Sequence, residues 1–149
     1  MAGTFPASLT WTGNTLDPSY SRAGTLTKPG GLAGVPVSSL PVFGGDGARW
    51  NPEDLLAGTL ATCHLLTFLA LAAKARVEVL GYQDQAEAEL ETVERVSRVG
   101  GIALRPAITV APGTDPAKVL ELFGKAHKYC VIANSITSKV ILEPTVVGA

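Results

Sequence analysis

The sequence predicts an α+β domain with helices packed on a mostly antiparallel sheet. Two helices are predicted to start at the caps Asn51-Pro52 and Asp115-Pro116. Segments with strand patterns lie before the first helix, between the two helices and after the second. The chain of 149 residues has the length of one domain that can bury a core of its own. We therefore predict a single domain over residues 1–149.

The first third of the chain is predicted to form antiparallel strands. Residues 7–14 alternate apolar and polar side chains, and Asp17-Pro18 marks the turn that follows. Residues 22–28 are expected to pair back on that first strand. Residues 35–42 are expected to form a third strand, at an edge or irregular, because Pro36 and Pro41 cannot donate to a central ladder.

The clearest local signal is the start of a long helix. Asn51 is a favoured N-cap, Pro52 suits the first helical position, and Glu53 and Asp54 complement the positive helix end. The pattern continues to about residue 76 and includes an uncharged segment, residues 55–73. That segment is long enough to cross a membrane. Its glycine, threonines and histidine, and its charged flanks, favour a buried central helix instead.

The remaining elements complete the predicted domain. Residues 77–96 and 99–110 are predicted to be two strands with a bend near Gly100-Gly101, and alternating glutamates give the first strand a solvated face. An amphipathic helix follows Asp115-Pro116 and places Cys130 on or near its buried stripe. Residues 136–147 are predicted to form the last strand.

Composition limits the classes of function. The 12 basic and 13 acidic residues are scattered and give a net charge of −1, so we expect neither nucleic-acid nor membrane-surface binding. The chain is 46% hydrophobic and only 17% charged, with a mean hydropathy of +0.27. So apolar a chain is expected to bury surface against a partner, most simply in a homodimer. Without a signal-peptide pattern, the expected compartment is the cytoplasm.

Cys63 and Cys130 are the only two cysteines. The residues alone leave open whether they are inert core residues or a redox pair. A reactive Cys63 needs a stabilising cation, because burial alone disfavours a thiolate. His64 points about 100° away from Cys63 on the helix, so it is not expected to contact the thiol. His64 and His127 are each expected to be core or interface residues and not metal ligands. No cysteine or histidine pair has the close spacing of zinc ligands, and we predict no metal and no cofactor.

Two segments together carry a resemblance to a known family. Asn-Pro-Glu-Asp-Leu-Leu at residues 51–56 is followed by Ala-Thr-Cys at residues 61–63, and Lys-Ala-His-Lys-Tyr-Cys occupies residues 125–130. This pattern resembles the OsmC/Ohr family of thiol peroxidases, and the order of elements matches over about residues 7–147. The resemblance implies an OsmC-like fold and an intertwined homodimer whose long central helices are buried at the interface.

The resemblance also implies a function, the reduction of organic hydroperoxides or hydrogen peroxide. Cys63 would attack the peroxide and become a sulfenic acid, and Cys130 would resolve it as a disulfide. An external dithiol, such as a dihydrolipoyl group on a carrier protein, would then reduce that disulfide. In this family a glutamate holds an arginine beside the reactive cysteine. Glu53 matches that glutamate, Arg22 is the best match for the arginine, and Arg49 is the alternative.

A second function remains open on the sequence. The same fold can serve as a non-catalytic dimeric stress or ligand-binding protein. Cys63 and Cys130 would then be packing residues, and a cavity at the dimer interface would hold an apolar ligand. The rate of Cys63 alkylation across pH separates the two functions, because only a catalytic thiol is expected to ionise well below the usual range.

Overall fold

The computed structural model describes residues 3–149. Within that range the chain forms nine strands and two α-helices, which confirms the predicted α+β class. The chain divides into two compact units, of which the first ends at Leu55 and the second begins at Leu56. The single domain over residues 1–149 stays a prediction.

The first unit contains a three-stranded antiparallel sheet with the order β1-β2-β3. Its strands are β1 (Ser8–Thr10), β2 (Gly24–Thr27) and β3 (Val35–Val37). The predicted pairing of the first two strands is confirmed, and β3 lies at the edge. The extents predicted for the first and third strands were too long. Pro41–Phe43 forms a 3₁₀ turn instead of continuing the third strand.

The predicted long helix is present as α1 (Pro52–Lys74). The Oδ1 atom of Asn51 accepts a hydrogen bond from the backbone N–H of Asp54 at 2.8 Å, which confirms the predicted cap. The Nδ2 group of Asn51 also donates to the Asp54 carboxylate at 2.8 Å. The helix ends where Arg76 takes a left-handed conformation, with φ of 58°, and the N–H of Val77 returns to the carbonyl of Ala72.

One face of α1 packs in the core, and its buried residues are regularly spaced. A single chain covers only this part of the helix. Its buried side chains recur at helical spacing: Ala57, Leu60, His64, Phe68 and Ala72. The helix is long and apolar enough to cross a membrane, a test that core helices of soluble proteins also pass. Only 28% of its most apolar window is buried. The expectation of a buried central helix is therefore met on one face within a single chain.

The second unit contains two further three-stranded sheets, with the orders β4-β7-β9 and β5-β6-β8. Their strands are β4 (Val79–Asp84), β5 (Glu87–Val93), β6 (Val96–Leu104), β7 (Pro106–Val110), β8 (Lys139–Leu142) and β9 (Thr145–Val147). Each sheet combines an antiparallel pair with a parallel pair. Four strands replace the two predicted over residues 77–110, and two replace the one predicted over residues 136–147.

The bend predicted at or near Gly100-Gly101 does not lie at these glycines. These glycines lie inside β6, next to a shift of register against β5. The chain instead reverses at Glu94-Arg95, whose φ angles of 52° and 68° are both left-handed, as a two-residue hairpin turn requires. Such turns usually contain glycine or asparagine, so this pair gave no sequence signal. The solvated face of β5 is confirmed, because its glutamates are exposed.

The second helix, α2 (Pro116–Tyr129), contributes to one of two core clusters of the second unit. Asp115 caps it by accepting the N–H of Ala117 at 3.0 Å. The buried residues of the first cluster come from α1, β7 and α2: Phe68, Ala72, Ile108, Val110, Val119, Leu122, Phe123 and Ala126. The second cluster contains Ala57, Leu60, Ile102, Leu104 and Cys130. The candidate site lies in this second cluster.

Candidate active site

Cys63 and Cys130 lie together in the core of the second unit. Cys63 is half-buried in the middle of α1 and packs against the cluster that contains Cys130. Cys130 directly follows the last residue of α2 and is fully buried. Both are free cysteines, they belong to one core cluster, and each influences the ionisation of the other. The fold thus brings together two thiols that the sequence places on separate helices.

The turn after α2 surrounds the two sulfurs with backbone donors. The chain leaves the helix at Cys130 in an extended conformation and enters a 3₁₀ turn over Ala133–Ser135. The N–H groups of Val131 and Ile132 stabilise the Cys63 sulfur, and the N–H of Ala133 donates to the Cys130 sulfur at 3.3 Å. Successive N–H groups that lack helical partners form a concavity suited to an anion.

The two thiols differ in how easily they ionise. Burial raises the pKa of Cys63, but hydrogen bonding from the Cys130 thiol and from the N–H groups of Ile132 and Val131 outweighs it and lowers that pKa. The Thr67 hydroxyl donates its one hydrogen to the Cys63 carbonyl at 2.8 Å. Burial and the interaction with Cys63 together raise the pKa of Cys130 to about 11. Cys63 is therefore the thiol that ionises first.

Two variants of Cys130 test this inequality. Cys130→Ala removes the donor and is expected to raise the pKa of Cys63, whereas Cys130→Ser keeps an O–H donor and should preserve more of the lowered pKa. The measurement is the rate of alkylation of Cys63 by iodoacetamide as a function of pH. Because the pKa of Cys63 is lowered, the wild-type rate should reach half its maximum at a lower pH than in Cys130→Ala. Identical profiles would show that Cys130 does not control the ionisation of Cys63.

The other predicted site residues, Arg22, Arg49 and Glu53, belong to the first unit. The Arg22 guanidinium lies 4.5 Å from the centre of the Tyr20 ring and forms no salt bridge within residues 3–149. Arg49 is held by a hydrogen bond to the Gly24 carbonyl at 3.1 Å and by a 3.7 Å ion pair with Asp46. The pairing of an arginine with Cys63, and the choice between Arg22 and Arg49, stay predictions.

Glu53 has a buried carboxylate oxygen, Oε2, without a hydrogen-bond partner in the part of the chain that the structure describes. A buried polar atom without a partner destabilises a protein by about 1–3 kcal/mol, and by more when it is charged. Glu53 therefore retains the capacity to bind a donor or a cation, as the predicted role requires. That role itself stays a prediction.

Sequence reasoning missed one contact beside the cysteines. The Nε2 atom of His64 and the Nδ1 atom of His127 are 2.9 Å apart and share a hydrogen bond. His64 is the buried core histidine that the sequence predicted. The pairing had only one signal, which is that each histidine is close in sequence to a cysteine. Among residues 3–149, no group of three or more histidine, cysteine or acidic side chains is arranged to hold a metal ion.

The sequence model of the family described as OsmC-like protein matches residues 44–145, a segment that contains both helices and both cysteines. The chain belongs to the OsmC-like protein family. The resemblance inferred from the sequence motifs is thereby confirmed.

Three relatives show in more detail which proteins this OsmC-like protein is similar to. It is 26% identical to the uncharacterised protein YmaD of Bacillus subtilis over 89% of its own length and 86% of that protein. It is 31% identical to the organic hydroperoxide resistance protein of Xanthomonas axonopodis, over 62% of its own length and 61% of that protein. An OsmC-like protein of unknown function from Vibrio cholerae superposes with a TM-score of 0.89 at 29% identity, covering 97% of this chain and 100% of its own.

A fourth relative supports the fold alone. The organic hydroperoxide resistance protein OsmC of Legionella pneumophila superposes with a TM-score of 0.73 at 24% identity, over 98% of both chains. The OsmC-like fold predicted from the sequence is therefore confirmed. The relatives of this chain thus include a protein named for organic hydroperoxide resistance and a protein named as uncharacterised.

Proposed function

We propose that this OsmC-like protein is a cysteine-based peroxidase that reduces organic hydroperoxides. The observation that carries the proposal is the pair of free thiols in one core cluster, Cys63 half-buried on α1 and Cys130 fully buried directly after α2. The lowered pKa of Cys63 and the raised pKa of Cys130 agree with it. A nucleophilic thiolate beside a protonated thiol is the arrangement that a two-cysteine peroxidase needs. The relationship to proteins named for organic hydroperoxide resistance supports the choice of substrate.

The proposed cycle balances as follows. The Cys63 thiolate attacks the terminal oxygen of the hydroperoxide, the O–O bond breaks, and the leaving alkoxide takes up a proton from solvent to give an alcohol. Cys63 is now a sulfenic acid. Cys130 loses its proton and attacks the Cys63 sulfur, so that water leaves and a disulfide forms. A dithiol, for which a lipoylated protein is our candidate, supplies two electrons and two protons to restore both thiols. We propose that the reaction takes place in the cytoplasm, where thiols are kept reduced.

An arginine completes the proposed site. A guanidinium beside Cys63 would stabilise the thiolate and orient the peroxide, because arginine keeps its charge in a dry site. Glu53 would hold it through the carboxylate oxygen that has no partner in the described chain. Arg22 is our choice because it forms no salt bridge within residues 3–149, while Arg49 is already bonded to Gly24 and Asp46.

Arg22→Ala is therefore expected to lower kcat/KM for an organic hydroperoxide by about 10²-fold, the usual effect of removing one stabilising charge or donor. Arg49→Ala is the matched control and should keep most of the activity, provided that thermal unfolding shows the first sheet to be intact. Steady-state peroxide consumption with a dithiol reductant measures both. Loss of activity in Arg49→Ala alone would assign the role to Arg49.

We further propose that the protein is a homodimer joined through the outward face of α1. This face consists of exposed residues at helical spacing, none of them charged: Thr59, Thr62, Leu66, Leu69, Ala70 and Ala73. Leu66 is 60% exposed in a single chain. A helix on the surface of a soluble monomer normally shows charged residues on its outward face. In the proposed dimer, the partner chain buries the uncharged face of α1 that a single chain leaves exposed.

A single turnover tests the cysteine chemistry. We expect reduced wild-type protein to lose two thiols for each cumene hydroperoxide converted to alcohol, because one disulfide forms per peroxide. Cys130→Ser cannot form that disulfide, so it should accumulate a sulfenic acid at Cys63 that dimedone traps and mass spectrometry locates. Absence of the dimedone adduct in Cys130→Ser, together with unchanged thiols in the wild type, would exclude the proposed peroxidase.

A further inference from the structure

The two histidines form a bridge between α1 and α2. Their hydrogen bond, 2.9 Å from Nε2 of His64 to Nδ1 of His127, joins the side chains of the two helices one residue beyond Cys63 and three residues before Cys130. The rings are stacked with centroids 5.2 Å apart, and the Phe123 ring lies 5.9 Å from His64. His64 is fully buried and His127 is half-buried, so the His64 end of this bond is shielded from solvent.

The hydrogen-bonding partners fix the hydrogens of the bridge. The Leu60 carbonyl can only accept, so the Nδ1 atom of His64, 2.9 Å away, carries a hydrogen. In neutral His64 the Nε2 atom is then an acceptor, and His127 donates to it from Nδ1. A proton added at Nε2 of His127 leaves this bond in place. Only the protonation of both rings would set two N–H groups against each other and break the bond.

The bridge is attached beside both cysteines. His64 directly follows Cys63 on α1, and the carbonyl of His127 accepts the N–H of Cys130 at 3.3 Å. A rotation of α1 about its axis, or a displacement of the last turn of α2, would change the separation of the two sulfurs. Either motion would also stretch the bond between the histidines.

We propose that His64 and His127 are positioning residues whose hydrogen bond holds Cys63 against Cys130 and so favours the formation of their disulfide. The role of that disulfide in peroxide reduction rests on the function proposed above. The effect of the bridge on the joining of the two sulfurs is a separate property that needs no peroxide.

The surroundings of His64 explain why loss of the bridge would move α1. The Asp84 carboxylate of β4 acts on His64 through its charge, and its Oδ1 atom accepts the N–H of Arg105 at 2.7 Å. The Oδ2 atom of Asp84 and the Tyr82 hydroxyl are buried without hydrogen-bond partners in the described chain. Without His127, the Nε2 atom of His64 would become a further unsatisfied buried atom. His64 would have to turn to find another partner, and Cys63 would turn with it.

The test compares two substitutions of His127. His127→Leu removes the donor, whereas His127→Asn keeps an N–H group near the position of Nδ1. Tyr82→Phe is the matched control, because it removes a buried polar group from the same core and leaves the bridge in place. The measurement is the equilibrium between dithiol and disulfide in a glutathione buffer. There the two thiols pass two electrons and two protons to glutathione disulfide, which gives two glutathione thiols.

We expect His127→Leu to lower the equilibrium constant for disulfide formation by about tenfold or more, as misplaced reacting groups do. His127→Asn and Tyr82→Phe should stay close to the wild type. An unchanged constant in His127→Leu, or an equal loss in His127→Asn, would overturn the proposal. Should His127→Leu fail to fold, His127→Gln gives the same test, because its amide lies near the position of Nε2 and cannot replace the donor at Nδ1.

The two proposals fail separately. A protein that does not reduce peroxides can still show the expected loss in His127→Leu, which would leave the positioning role standing. A peroxidase whose dithiol–disulfide equilibrium ignores His127 would keep its function and lose the positioning role.

Discussion

Cys63→Ser is expected to lower kcat/KM for cumene hydroperoxide by about 10³-fold or more, because the variant lacks the nucleophile. A serine hydroxyl stays protonated at neutral pH, and the backbone donors that lower the pKa of Cys63 cannot make it a comparable nucleophile. The measurement is peroxide consumption in the presence of a dithiol, at several peroxide concentrations. Cys63 is half-buried and serine is similar in size, so the variant should fold.

Thr62→Ala provides the control for this substitution. Thr62 precedes Cys63 on α1, is exposed, and donates its hydroxyl hydrogen to the carbonyl of Gly58 at 2.7 Å. Its loss removes a polar group from the same turn of the helix without touching the sulfur. Because alanine is uncharged and smaller than threonine, the proposed dimer should persist and activity should stay near the wild-type value. Equal, slow consumption by the wild type and Cys63→Ser would instead favour the non-catalytic, ligand-binding protein.

The parts of the fold that the sequence predicted are those fixed by local chemistry. The start of α1 followed from Asn51-Pro52, because a cap and a proline act on backbone groups within one turn. The hairpin at Glu94-Arg95 could not be predicted, because the left-handed conformations there are imposed by the pairing of β5 with β6. The parallel pairing of β6 with β8 joins distant segments and likewise has no local signal.

The candidate site, too, could be predicted only where local sequence carries a signal. The types and helical positions of Cys63 and Cys130 are visible in the sequence, and the family resemblance linked them. The N–H groups of Val131 and Ile132 carry no side-chain signature, because their role comes from the backbone path after α2. The bond between His64 and His127 depends on the packing of two helices, so neither residue could be assigned a partner beforehand.

Leu69→Asp is expected to weaken the proposed homodimer by about 10²-fold or more in Kd. Leu69 is 39% exposed and lies on the uncharged outward face of α1. A carboxylate buried there without a partner costs several kcal/mol. The variant should therefore run as a monomer in size-exclusion chromatography with light scattering, at a concentration where the wild type is a dimer without detergent.

Leu120→Asp is the matched control, because Leu120 is 42% exposed on the other helix of the chain. Its neighbours Lys118 and Glu121 already form an exposed ion pair, so an added carboxylate stays solvated and the dimer should persist. Equal weakening by both variants would indicate general destabilisation of the chain. A wild type that is monomeric, or that dissolves only in detergent, would contradict the dimer. Only the inward face of α1 packs in the core of the chain. Without a dimer, the absence of charged residues on the outward face would therefore have no physical reason.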